Sequence, residues 1–104
     1  MSESIVYYKQ TCNLISTNYN YYHLFRFILE NGPISKSKIL GSFKEIRVSH
    51  CMIIDILDYF ISREIVKIEK KKVKVNTQYE NLGKKQMLCY INPNIMEVWA
   101  SGNF

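Results

Sequence analysis

The sequence predicts an α+β fold, and three observations predict it. From residue 17 to residue 63, apolar side chains recur at helical spacing. From residue 65 to residue 91 the apolar period drops to two, as in strands with one face to solvent. Punctuating residues stand at the joints, with Ser35 and Ser49 before apolar stripes and Gly32-Pro33 and Gly41-Ser42 after them.

The elements follow in chain order. Residues 5–16 carry two patterns at once. Ile5, Val6, Tyr7 and Tyr8 favour a strand, while Ile5, Tyr8, Cys12 and Ile15 fit one face of a helix, the preferred reading. Thr17 or Asn18 caps the next helix, whose stripe is Tyr21, Leu24, Phe25, Ile28 and Leu29. Asn31-Gly32-Pro33 ends it, with Gly32 suited to a left-handed C′ position. Ser35 then caps a short helix whose buried side is Ile34, Ile39, Leu40 and Phe43, and Gly41-Ser42 breaks it. A third helix runs from about Ser49 to about Arg63 on the stripe Met52, Ile53, Ile56, Leu57, Phe60 and Ile61. This leaves His50, Cys51, Ile54, Asp55, Asp58 and Ser62 facing outward or sideways.

Two strands are expected next, 65–70 and 72–75. Their apolar parity shifts across Lys70–Lys72, from even Val66 and Ile68 to odd Val73 and Val75, which predicts a bulge or a turn there. Asn76 to Gly83 is a second turn candidate, and residues 85–91 give the returning strand. Asn92-Pro93-Asn94 opens a terminal helix with Ile95, Met96, Val98 and Trp99 as its apolar residues.

A chain of 104 residues accommodates one domain and hardly two, and its 47% hydrophobic content suffices for a core without metal or disulfide staples. No apolar run approaches the ~20 residues that span a bilayer. The N-terminus has no basic segment before an apolar run, so it does not read as a signal peptide, and a cytoplasmic protein is expected. Cys12, Cys51 and Cys89 are far apart, in no ligand-like cluster, and read as reduced and mostly buried thiols; the alternative is a disulfide.

The charge is concentrated. Residues 63–85 hold eight basic side chains against three acidic ones, and the rest of the chain holds six of each. The whole net charge of +5 therefore lies in 23 residues. A field so localised points to a polyanionic partner; a lysine-blunted strand edge is the plainer explanation.

From Tyr19 to Ile91, the order helix, short helix, turn, longer helix and two-stranded ribbon resembles the winged helix-turn-helix family. The marks are the junction Asn31-Gly32-Pro33-Ile34-Ser35 and the step Arg63-Glu64-Ile65-Val66 into the ribbon. The resemblance implies one winged-helix domain over 1–104, with a core at 17–91 and flanks 1–16 and 92–104 that either pair across a two-fold axis or cover the core. It implies a double-stranded DNA-binding homodimer, a non-enzymatic transcriptional regulator. The third helix would face the groove with Arg47, Ser49, His50, Cys51, Ile54 and Asp55. The wing would meet phosphates with Lys67, Lys70, Lys71, Lys72, Lys74, Lys84 and Lys85, joined by Lys36 and Lys38 at the short helix. Tyr79, in the wing loop, reads as an ordinary loop aromatic.

Asp55 and Asp58 depart from that picture, because carboxylates on the outer face of the groove helix repel phosphate. They motivate a different class of function, a protein-interaction winged helix within a larger complex; RNA or single-strand binding through the wing is a third possibility. Catalytic chemistry finds no support in paired carboxylates, a glycine-rich phosphate loop or an HxxxH motif, and no cofactor, metal or small-molecule substrate is expected. His23 reads as a structural histidine. His50 and Cys51, adjacent on a helix, point about 100° apart and make a poor nucleophile pair.

Overall fold

A computed structural model of the chain describes residues 2–72 and 85–104. It is an α+β fold, mostly helical, with one three-stranded antiparallel sheet. The ambiguous first segment is helix α1 (Ser2–Thr17). Its helical face decides the matter, since Cys12 and Ile15 are fully buried and Tyr8 packs against the same core. Asn18 caps α2 (Tyr19–Asn31), its side-chain oxygen accepting from the Tyr21 N–H at 3.2 Å. The α2 stripe buries Leu24, Phe25 and Ile28.

Gly32 ends α2, but not in the left-handed region: its φ of −72° and ψ of 155° are extended. The following proline crowds the residue before it and favours this extended basin. Glycine is needed for space instead. Its N–H bonds the Ile28 carbonyl at 2.7 Å, and a Cβ here would stand 2.6 Å from that same oxygen.

Ile34–Ser35 forms a two-residue strand, β1, which the sequence pattern did not announce. Ser35 also caps α3 (Lys36–Gly41), its hydroxyl accepting from the Lys38 N–H at 3.3 Å. The break at Gly41-Ser42 is followed by a further short helix, α4 (Phe43–Ile46). Here the expected burial shifts by a few residues: Phe43 lies exposed, and Ile46 and Val48 take its place in the core. Helix α5 (His50–Ser62) starts at its Ser49 cap, whose hydroxyl accepts from the Met52 N–H at 3.4 Å. Ile53, Ile56, Leu57 and Phe60 are buried. Met52 stands at the margin of that arc and is exposed, which corrects its place in the predicted stripe.

Strands β2 (Val66–Lys72) and β3 (Lys85–Ile91) pair without a slip, from Val66 opposite Ile91 to Lys72 opposite Lys85. The bulge or turn expected at Lys70–Lys72 is absent. Ile68 explains why the parity argument failed. It is 37% exposed, so the buried alternation ends at Val66 and imposes no register beyond it. β3 is the central strand, and β1 joins its other edge only opposite Cys89 and Leu88. Val73, Val75, the Asn76–Gly83 turn candidate, Lys74, Lys84 and Tyr79 lie outside the described residues.

Asn92 caps α6 (Pro93–Ser101), with Pro93 at the first helical position. α6 lies along α1: the Asn94 amide reaches the Tyr8 hydroxyl at 3.4 Å, and Ile95 is fully buried with Cys12 and Ile15. These three residues share one core with Leu24, Phe25, Leu57, Phe60 and Ile91. Burying each isoleucine contributes on the order of 2–3 kcal/mol.

Candidate nucleic-acid interface

The turn between α4 and α5 is built from inside outward. Ile46 and Val48 are buried and pin the chain on both sides of Arg47. Arg47 between them takes a left-handed conformation, φ 63° and ψ 33°, and its N–H closes α4 on the Phe43 carbonyl at 2.9 Å. This backbone leaves the Arg47 side chain exposed directly before α5. Ser49, His50, Cys51 and Asp55 are exposed on the first half of α5, and Ile54 is half-buried beside them. Six of the residues expected to read a groove thus come together on one end of one helix. The Ser49 hydroxyl is already engaged by the Met52 N–H.

Lys36 and Lys38 are exposed at the start of α3. Lys36 Nζ lies 3.6 Å from Asp58 Oδ1, so this exposed carboxylate is also the partner of a candidate phosphate ligand. An exposed pair of this kind is worth about 0–1 kcal/mol and yields readily to a competing anion. Asp55 is also exposed.

The ribbon register sorts the lysines, which the sequence alone treated as one group. Alternation places positions 66, 68, 70 and 72 on one face with 91, 89, 87 and 85, the face that enters the core at Val66, Cys89 and Ile91. Positions 67, 69 and 71 occupy the other face with Tyr90 and Leu88, and Glu69 offsets part of the charge there. Lys72 stands directly opposite Lys85.

Two exposed apolar groups near these cations escaped the sequence reading. Phe43 sits with its ring 6.1 Å from that of His50. Met87 is exposed on the core-facing side of the ribbon, past the cover that β1 provides. Hydrophobic periodicity reports which face a residue takes, not where its cover stops.

Apart from Cys51, the remaining reactive groups lie away from this surface or are inert. Burial pushes the Cys12 thiol up to about 11 and raises that of Cys89 as well, so neither is an available nucleophile. Cys51 is exposed, and all three cysteines are free. His23 packs edge-on between Tyr19 and Tyr22, at 4.2 and 5.6 Å. Among the described residues, no three His, Cys, Asp or Glu side chains gather as a metal site, and no helix is long and apolar enough to cross a membrane.

Comparison of the chain with protein-family models, with curated proteins and with solved structures returns no match.

Proposed function

We propose that this chain is a winged helix-turn-helix protein that binds double-stranded DNA and acts as a homodimeric regulator of transcription. One observation carries the reading. A short helix, a tight turn and a longer helix lead directly into an antiparallel ribbon, and residues 63–85 of the sequence carry the whole positive excess of the chain. The sheet order β1-β3-β2 supports it, because the short strand before α3 anchors the base of the ribbon. In this reading the N-terminal half of α5 enters the major groove and the ribbon grips the flanking backbone.

The test is fluorescence anisotropy with random duplex DNA at several salt concentrations. Four to six phosphate contacts give a slope of log K against log salt of about −4 to −5. Replacing Lys70, Lys72 and Lys85 by alanine lowers the magnitude of the slope by about 2.7 if all three touch phosphate. Absence of binding at about 50 mM salt, where nonspecific association is strongest, rejects the reading.

Asp55, Asp58 and the exposed Met52 favour a second reading, in which the outer face of α5 meets another protein. It predicts no duplex binding even at low salt.

A further inference from the structure

We propose that a row of aromatic rings joining the start of α2 to the end of α6 is the surface through which two copies of this chain pair. The row runs Tyr19, His23, Tyr22, Trp99, Phe104, with successive ring centroids 4.2, 5.6, 6.1 and 5.2 Å apart. It is rooted in the core, since Trp99 also packs 4.7 Å from the buried Phe25. It is open at both ends: Tyr19 is 61% exposed and Phe104 is 39% exposed.

Charge decides what can cover it. Residues 2–31 and 92–104 hold two basic and three acidic side chains, a net of −1, and residues 32–91 hold the remaining +6. The apolar exposure is distributed the opposite way. Of the eleven large hydrophobic side chains that are exposed among the described residues, seven belong to α1, the start of α2, α6 and the C-terminal end. An aromatic row can stack nucleobases, but such platforms work with a cationic track for the backbone. The cation at this row is already engaged. Arg26 lies over the Tyr22 ring at 5.7 Å, bonds the Tyr22 hydroxyl at 2.9 Å and pairs with Glu30 at 2.7 Å. Nucleic acid is therefore disfavoured, and a protein surface low in net charge is favoured.

A second copy fits best. Each copy carries +5, so two copies approach with least repulsion on the parts where the excess is absent. Interface cores are rich in Tyr, Trp and Phe and poor in charged residues, as this row is. A two-fold contact is self-complementary and sets the row against itself. Exposed at these fractions, Tyr19 and Phe104 offer roughly 60–150 Å² each. Across two copies they supply roughly 300–500 Å², about a sixth to two fifths of the ~1,200–2,000 Å² that a stable dimer buries. The proposal rests on the homodimer reading and not on DNA binding, so the two fail separately.

The experiment is sedimentation velocity from about 1 to 100 µM, the range in which a specific dimer declares itself. The wild-type chain is compared with Tyr19→Glu/Phe104→Ser and with Phe43→Glu, a control on α4. Glutamate at the first position of α2 suits the helix dipole, so the fold is retained and far-UV circular dichroism verifies it. The expected result is a wild-type dimer, a dissociation constant raised at least about tenfold in the double variant, and no change in the control. If the double variant loses its fold, Tyr19→Ser alone replaces it. A wild type that stays monomeric at about 100 µM overturns the proposal. So does a dimer that survives the double variant but is lost in Ile5→Glu/Val6→Glu, because the contact then lies at the far end of α1.

Discussion

Asn92 ties three elements together, and its loss can be calculated. The residue is 3% exposed. Its Oδ1 accepts from the Asn94 N–H at 3.1 Å and caps α6, while its Nδ2 donates to the Glu64 carbonyl at 2.9 Å, at the corner between α5 and β2. Its own N–H bonds the Ile65 carbonyl at 2.9 Å, a bond that any substitution except proline keeps. Serine preserves a capping oxygen but is too short to reach Glu64. Losing that side-chain bond costs about 1 kcal/mol. Alanine loses the cap as well, another ~1 kcal/mol. Asn92→Ser therefore costs about 1 kcal/mol and Asn92→Ala about 2, or roughly 4–8 °C and 8–16 °C in midpoint for a domain of this size. Urea denaturation followed by circular dichroism measures both. Equal losses in the two variants would show that the cap contributes nothing, and an alanine variant within about 0.3 kcal/mol of wild type would refute the whole account.

Further outcomes follow from single positions. Gly32→Ala drives a Cβ to 2.6 Å from the Ile28 oxygen and costs about 1–3 kcal/mol, while Gly41→Ala meets nothing within 4 Å, sits in a helix and gains about 0.4–1 kcal/mol; thermal midpoints of the pair check both signs. Arg47→Gly relieves a left-handed backbone at φ 63°, so it leaves the midpoint unchanged or higher while weakening duplex binding in anisotropy; a fall in stability would contradict the strain argument. Burial raises the Cys12 thiol to about 11 in the folded state, so the stability this adds is complete below the ordinary thiol value and is lost as pH climbs toward 11. Cys12→Ala removes that loss, and urea midpoints of the two proteins at pH 8 and pH 10.5 show whether it does. With a thiol reagent at pH 8, Cys51 reacts fast and the two buried cysteines react slowly.

Much of this architecture is legible in the chain because caps and breakers are local. Ser35, Ser49, Asn18 and Asn92 each accept the N–H that their position in the sequence suggests. The returning strand at Lys85–Ile91 and the terminal helix follow from period and capping alone. What failed depends on distant parts of the chain. β1 is two residues long and exists only because Cys89 and Leu88 lie beside it, more than fifty positions later. Gly32 could not be assigned from the helix it ends, because Pro33 sets its backbone and Ile28 sets its space. Ile68 and Phe43 look like core residues in any window of sequence, yet neither is covered. For the candidate site, the sequence provides the exposed end of α5 and the excess of lysine. It could not divide the lysines between faces, because the division follows from the Val66–Ile91 register.

The pairing of α1 with α6 constrains how the molecule comes into being. The face of α1 that holds Cys12 and Ile15 is sealed by Ile95 of α6, 83 positions after Cys12. The central strand β3 also arrives late, after both strands it must join. On a ribosome, α1 therefore waits, its apolar face covered only in part by α2, until α6 has emerged. Contacts between such remote segments make folding slow for a protein of this length, and they make it close to all-or-none. A chain halted before residue 93 would leave α1 adhesive and unsealed, a natural target for chaperones.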